Sequence, residues 1–256
     1  MLTQELQAYL NDKVEEYNQP RFIEDDPIAV PHRFSKKQDI EIAAFFAAIF
    51  AWGNRRTIIR KTNELMAMMD DDPYAFILHH SEKDLHNLLL FKHRTFNADD
   101  LLYFISFFHR HYAAHESLEV AFLRADHTEA FTMENALNHF KQVFFAEEHL
   151  RRTRKHISSP AQKSACKRLN MFMRWMVRKD HCGVDFGLWS GISPAQLIMP
   201  LDLHVARVAR RIGLLNRQQT DWTAAEELTA VCRKMDAKDP VKYDYALFAM
   251  GVVEKF

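Results

Sequence analysis

The sequence predicts an all-α protein, and three observations lead to that prediction. Only 6 of the 256 residues are Gly, about 2%, against an average usage of about 7%. Between Pro73 and Pro160 the chain runs for 86 residues without Gly or Pro, whereas a multi-stranded sheet needs turn residues at short intervals. Apolar residues recur at spacings of three and four, which is the period of a helix with a buried face, and the pattern predicts about ten helices and no strand.

The apolar spacing also places the helices along the chain. The first strong helix is predicted over residues 40–52, with Asp39 before it as a candidate N-cap. Four later segments show the same spacing. They contain Leu101, Leu102, Ile105, Phe108 and Tyr112; Met133, Leu137, Phe140 and Phe144; Leu169, Phe172, Met173, Met176 and Val177; and Tyr245, Leu247, Phe248 and Val252.

Glycine returns in one stretch, which predicts a loop. Gly183, Gly187 and Gly191 fall close together and indicate a loop over residues 180–201 between two helices. Loops of this length inside a domain are usually functional or disordered. Apolar anchors favour an ordered loop here, and they are Leu188, Trp189, Ile192 and Leu197. We expect Trp175 and Trp189 to be core residues rather than platforms on which bases stack.

The charge balance hides a local asymmetry. The chain has 34 Lys and Arg and 34 Asp and Glu, so its formal net charge is zero. Residues 1–30 carry seven acids against two bases, while residues 151–178 carry nine bases and no acid. The basic run lies in an aromatic- and Met-rich stretch. It therefore indicates either a solvated helix face or a surface that contacts phosphates.

Several classes of protein are excluded or disfavoured. Neither G-x-G-x-x-G nor G-x-x-x-x-G-K-[ST] occurs, so a Gly-rich phosphate loop is excluded. No uninterrupted apolar run is long enough to predict a membrane span, and residues 1–10 do not read as a secretory signal. The three Cys lack C-x-x-C spacing and indicate a reducing, cytoplasmic setting. No metal site is expected, because His109, His111 and His115 have no evident further ligand and are predicted to lie on the surface.

The strongest functional signal lies in the segment PLDLHVARVARRIGL, residues 200–214. Asp202 stands at the start of a helix, either as an N-cap or as a catalytic carboxylate that the helix positions. The segment resembles P-x-D-x-H-V-x-R-x-x-x-R-x-G-L of the helix-hairpin-helix DNA glycosylase superfamily, in which a Gly/Pro-rich loop ends at a catalytic Asp. The matching positions are Pro200, Asp202, His204, Val205, Arg207, Arg211, Gly213 and Leu214.

A second motif precedes Asp202 by 35 residues. Lys167 opens an apolar helix there, a layout most similar to the archaeal 8-oxoguanine DNA glycosylase branch, whose catalytic Lys begins such a helix. Nearly the whole chain also resembles an uncharacterised bacterial family. That family is marked by K-R-L-N-M-F-x-R-W-M-V-R and D-P-V-K-Y-D, here residues 167–178 and 239–244.

The glycosylase resemblance implies a fold and a reaction. The fold has two helical subdomains with a cleft between them, expected here as a central bundle over 40–160 and a second subdomain over 1–39 plus 161–256. The reaction is that of a bifunctional glycosylase and abasic-site lyase on damaged bases, with duplex DNA as partner and no cofactor. Lys167 would attack C1′ of the sugar and form a Schiff base, assisted by Asp202. Lys163 is the rival nucleophile.

Further residues follow from the same resemblance. The base pocket would comprise Asn54, Met171, Asp244 and Phe248, and nucleic acid would be contacted by Arg55, Ser159, Lys163, Ser164, Arg168, His204 and Arg207. For Asn54 and Arg55 the alternative is a turn with a helix C-cap at Gly53, and for Asp244 and Phe248 it is helix capping and packing.

Two departures from the glycosylase pattern leave other functions open. The hairpin segment, residues 158–165, has no Gly, although Gly normally lets backbone N–H groups approach a phosphate. Met171 stands where the archaeal enzymes stack the lesion on Phe, so specificity for 8-oxoguanine is not implied. The alternatives are a catalytically silent module that binds DNA, RNA or a nucleotide, and a helical protein-interaction domain.

Overall fold

The computed structural model describes residues 3–123 and 131–256, and this part of the chain is helical. Its α-helices are α1 (Gln4–Tyr17), α2 (Lys37–Ile49), α3 (Arg55–Met68), α4 (Pro73–His79), α5 (Glu82–Asn87), α6 (Ala98–Ala114), α7 (Met133–Phe144), α8 (Lys167–Val177), α9 (Leu203–Arg211), α10 (Trp222–Met235) and α11 (Tyr243–Val252). Short 3₁₀ turns join several of them, and β-pairing within the described residues is limited to isolated bridges. The all-α prediction is confirmed.

The chain divides into two compact units. The described residues of Met1–Ile23, Thr132–Glu134 and Ser159–Phe256 form unit 1, and those of Glu24–Phe131 and Asn135–Ser158 form unit 2. Residues 24–39, which the sequence grouped with the second subdomain, belong to unit 2. Their 3₁₀ turns pack against α2 and α3, because Ile28 and Val30 are apolar and bury all but 1% of their surface there.

Unit 2 is built around α2, whose sequence is apolar on nearly every face. A helix of that composition must be surrounded by other elements. Phe45 supplies the centre of an aromatic cluster, with its ring 5.4 Å from that of Phe108 in α6 and 5.7 Å from that of Phe140 in α7. Burial of one such ring contributes about 2–3 kcal/mol, so the Phe-rich pattern accounts for much of the stability of this unit.

The predicted N-cap of the first strong helix is wrong. The helix begins at Lys37, three residues earlier than the apolar pattern indicated, so Lys36 takes the cap position and Asp39 lies inside the first turn. The Asp39 carboxylate instead accepts a hydrogen bond from the backbone N–H of Tyr74 at 2.8 Å. It thereby anchors the first turn of α4, a long-range role that local spacing does not reveal.

The surface prediction for the histidines fails at His111. This side chain is 7% exposed, and its Nε2 lies 2.9 Å from the carbonyl oxygen of Ser117. Burial lowers the pKa of His111, which favours the neutral ring. His109 and His115 are exposed as expected. Within the described residues no group of three or more His, Cys, Asp or Glu side chains could hold a metal ion.

In unit 1 the helices α9 and α11 cross in direct contact at Gly251. A Cβ at Gly251 would lie 3.0 Å from the Cβ of His204 and 3.2 Å from its carbonyl oxygen, so the crossing depends on the missing side chain. Arg207 reinforces it, since its Nη2 donates a hydrogen bond to the Gly251 carbonyl at 2.8 Å. Helix α1 packs on the same helix α11.

The loop between α8 and α9 is ordered, as the apolar anchors predicted. Backbone N–H groups of Phe186 and Trp189 donate to the carbonyls of Trp175 and Met176 at the end of α8, at 2.8 and 2.9 Å. Trp175 and Trp189 are 0% and 3% exposed, which confirms both as core residues. None of the helices in the described residues is both long and apolar enough to span a membrane.

Candidate functional site around Lys167 and Asp202

The start of α9 fixes the carboxylate of Asp202. Asp202 is the N-cap, and its Oδ1 accepts hydrogen bonds from the backbone N–H groups of His204 and Val205, both at 2.8 Å. Oδ2 has no hydrogen-bond partner among residues 3–123 and 131–256. One oxygen therefore holds the helix end, which is the positive pole of its dipole, and the other remains available to a positively charged group.

The start of α8 fixes Lys167, which is the first residue of that helix and is partly buried. The preceding residue, Cys166, adopts the left-handed conformation with φ 51°. Its backbone N–H is held by the Ser164 hydroxyl at 3.1 Å, and its carbonyl accepts the N–H of Asn170 at 2.9 Å. The sharp turn at Cys166 thus sets the direction in which the helix and its first side chain begin.

Both residues act electrostatically on one buried carboxylate, Asp244, in the first turn of α11. Asp244 is 5% exposed, and burial raises its pKa to about 6. The guanidinium of Arg174 opposes that shift, as does the Lys167 ammonium, while the Asp202 carboxylate adds to it. The two candidate catalytic residues, 35 positions apart in sequence, are therefore brought into one electrostatic environment.

The walls of this environment are buried ion pairs. Arg174 forms an ion pair with Asp244 and lies 3.3 Å from Asp185, which also contacts Arg178 at 3.2 Å. Arg178 in turn contacts Asp239 at 2.8 Å. Taking these charges out of water costs several kcal/mol per ion, and the attraction within each pair offsets that cost.

These contacts link the two motifs that mark the uncharacterised family. Arg174 and Arg178 belong to the first motif, and their partners Asp244 and Asp239 are the last and first residues of the second. The prediction that residues 151–178 expose their cations is wrong for these two, because carboxylates from the loop, from the turn before α11 and from α11 itself enclose them. Sequence reasoning missed the partner Asp185. The available signal was a second Asp in the loop five residues after Asp180, facing two Arg one helical turn apart.

The predicted hairpin adopts left-handed turns without Gly. Its 3₁₀ turn Pro160–Gln162 ends at Lys163, which is exposed and has φ 59°. Ser159 is buried, with its hydroxyl 3.5 Å from the side-chain oxygen of Gln162. The Ser164 hydroxyl accepts from Cys166, as described above. Lys163 is therefore the residue of this hairpin that projects a charge into solvent.

The remaining predicted residues are distributed over both units. In unit 1, Met171 and Phe248 are partly buried, and burial lowers the pKa of Arg168 to about 10. His204 is exposed, two residues after the α9 N-cap, Asp202.

In unit 2, Asn54 caps α3 by accepting the backbone N–H of Thr57 at 3.2 Å, and Arg55 begins that helix. Gly53 has φ 101° but lies beyond the end of α2, so it is not the C-cap of that helix.

Comparison with known proteins identifies the family. A family model with the description "Protein of unknown function (DUF2400)" matches residues 26–253. No curated protein and no solved structure matches the chain. The match spans both units and includes the two linked motifs, Asp202 and its loop. The chain therefore belongs to the DUF2400 family.

Proposed function

We propose that the chain is a DNA glycosylase and abasic-site lyase that acts on damaged bases, with Lys167 as nucleophile and Asp202 as its assisting carboxylate. The observation that carries the proposal is that these two residues begin two helices and both act on the same buried carboxylate, Asp244. The helix-hairpin-helix architecture with its cleft is part of the same proposal.

Each step assigns a bond change to a residue. The damaged nucleotide is flipped out of the duplex, and the neutral amine of Lys167 forms a bond to C1′ while the bond from C1′ to the base breaks. The base leaves with a proton, and opening of the sugar ring gives a Schiff base between Lys167 and C1′. Loss of a C2′ proton then breaks the bond from C3′ to its phosphate, and water releases the sugar fragment and regenerates the amine.

The placement of Asp202 suits the first step. Charge develops on the sugar as the base leaves, and a carboxylate oxygen without a hydrogen-bond partner stabilises that charge most strongly when it is already oriented. The N-cap hydrogen bonds on Oδ1 provide the orientation, and Oδ2 supplies the charge.

Borohydride trapping tests the proposal. Wild-type chain is incubated with duplexes that carry an abasic site or an oxidised purine, and the Schiff base is reduced to a stable amine that is read as a covalent protein–DNA band. Wild type and Lys163→Gln should trap, whereas Lys167→Gln should not. Equal trapping by Lys167→Gln and wild type, or no trapping by wild type on any of these duplexes, refutes the lyase assignment.

A catalytically silent nucleic-acid-binding module is the second candidate. The hydrogen bond from the Ser159 hydroxyl to the side-chain oxygen of Gln162 favours it, because that hydroxyl donates within the hairpin and not to a phosphate. It predicts salt-dependent binding to a duplex without strand cleavage or trapping.

A further inference from the structure

Three segments of unit 2 meet around Trp52. The His93 ring lies edge-on to the Trp52 ring with centroids 4.8 Å apart, and the His156 ring lies 6.2 Å from it. Arg94 covers the adjacent Gly53, since a Cβ built on that glycine would lie 2.2 Å from the Arg94 Nη1. The turn after α2, the turn around Arg94 and the 3₁₀ segment that ends at His156 therefore form one continuous region.

This region is strongly basic. Residues 52–61, 92–96 and 151–156 together contain ten Lys and Arg and no Asp or Glu. Three of the ten are compensated, because Arg60 and Lys61 contact Glu64, and Arg152 contacts Asp100. Six others are exposed and have no carboxylate within ion-pair distance in the described part of the chain. One of the six, Arg154, contacts His149 and the Phe145 ring instead, which leaves five. These five are Arg56, Lys92, Arg94, Arg151 and Lys155, and with Trp52 they define the Trp52 surface.

Two hydrogen-bonded backbone segments carry most of these exposed cations. Arg94 has φ 55° in a turn closed by two hydrogen bonds of 2.9 Å between His93 and Phe96. The neighbouring 3₁₀ segment is tied to this turn, since Arg152 donates to the Thr95 carbonyl at 2.9 Å. Like charges held this close repel one another in the free protein, and a polyanion relieves that repulsion.

We propose that the Trp52 surface binds the sugar–phosphate backbone of duplex DNA. The surface lies wholly within unit 2 and shares no residue with the Lys167 and Asp202 site, so it adds a binding function to the proposed chemistry. Duplex DNA as the partner rests on the proposed function, while the preference for a polyanion rests on the five uncompensated cations alone.

An anionic membrane is the competing polyanion. Leu90 is 92% exposed and Leu150 is 54% exposed, and both precede cationic segments of the surface. Proteins that lie on membranes usually do so with an amphipathic helix, whereas the cations here are carried mainly by hydrogen-bonded turns. The distribution therefore favours a phosphate backbone over a lipid surface.

Salt-dependent binding of the full chain to a fluorescein-labelled duplex tests the proposal. If all five cations contact phosphates, log Kd should change with log salt with a slope of about 4–5. The variant Arg94→Gln/Lys155→Gln should bind more weakly and lose about 2 from that slope. The control Lys83→Gln/Lys238→Gln removes the same charge from exposed positions elsewhere and should retain wild-type affinity and slope.

Intrinsic fluorescence provides a second readout. Trp175, Trp189 and Trp222 are at most 5% exposed, whereas Trp52 is only partly buried. Binding to the Trp52 surface should therefore change the emission of wild type, and Trp52→Phe should lose that change while remaining folded.

The outcomes separate this surface from the enzymatic proposal. If the duplex binds as described but nothing is trapped by borohydride, the surface stands and the lyase fails. If Lys167 is trapped but Arg94→Gln/Lys155→Gln binds with wild-type affinity and slope, the surface is refuted. Binding to phosphatidylserine vesicles without binding to the duplex also refutes it.

Discussion

The pH dependence of stability isolates the energetic role of Asp244. Its pKa is raised to about 6 from the ordinary aspartate value of 3.8, because burial disfavours the carboxylate more than Arg174 and Lys167 favour it. The folded state therefore binds a proton that the unfolded state has released between about pH 4 and pH 6. Stability attributable to this group is highest below about pH 4 and is lost as the pH rises through about 6, by about 3 kcal/mol in total.

The substitution Asp244→Asn removes this loss. Asparagine resembles the protonated carboxyl in shape but does not titrate, so the variant should be more stable than wild type at pH 7.5 by up to about 3 kcal/mol. The gain should shrink towards pH 4. An acid whose pKa is higher in the folded state than in the unfolded state destabilises the fold whenever it is ionised. The substitution is therefore stabilising at pH 7.5, where Asp244 is ionised, and not near pH 4.

Urea unfolding between pH 4 and pH 7.5 measures the effect. Both chains should carry Trp52→Phe, so that the emission comes from Trp175, Trp189 and Trp222, which are all in unit 1. Taking the difference between the two chains cancels the titration of other groups. A wild type more stable than Asp244→Asn at pH 7.5 would refute the reasoning, because it would mean that the ion pair with Arg174 outweighs desolvation.

Three further outcomes follow from the packing, the cap and the thiols. Gly251→Ala should cost about 1–3 kcal/mol in thermal unfolding, since its Cβ would meet His204 at 3.0 Å, and unchanged stability would contradict the close crossing. Asp202→Ser removes the carboxylate and should lose borohydride trapping, but it keeps an N-cap oxygen and should lose little stability. Asp202→Ala should lose trapping and also cost about 1 kcal/mol of stability. Burial raises the pKa of Cys232 to about 12, so a thiol reagent should label native chain at the partly exposed Cys182 and spare Cys232 until urea unfolds it. Equal labelling rates for the two thiols would contradict this burial.

The local sequence pattern was enough to predict those features that depend on the residues of a single helix or loop. The helices that contain Phe45, Phe108 and Phe140 were recognisable because apolar side chains at helical spacing must be buried whatever they pack against. The order of the loop before Asp202 was recognisable for the same reason, since Trp189 and its apolar neighbours cannot remain in water. Asp202 as an N-cap followed from the loop-to-helix transition in the sequence.

Local pattern failed where a residue is satisfied from far along the chain. Asp39 is of a residue type that often caps helices and stands near the start of α2, but it accepts the backbone N–H of Tyr74, 35 residues later. Arg174 and Arg178 read as exposed cations because their nearest sequence neighbours include many bases, and the carboxylates that neutralise them come from residues 185, 239 and 244. No short stretch of sequence around either Arg includes all of these carboxylates.

The sequence by itself determined the class of the fold, several of the helices and the family, because these depend on composition, on short-range periodicity and on motifs that are contiguous in the chain. Only the tertiary structure decided which charges are buried and which are presented. It enclosed two cations of the basic run, Arg174 and Arg178, in unit 1 and left others exposed around Trp52. The physical reason is that burial and charge compensation are set by neighbours in space, and a helical fold brings those neighbours from distant parts of the chain.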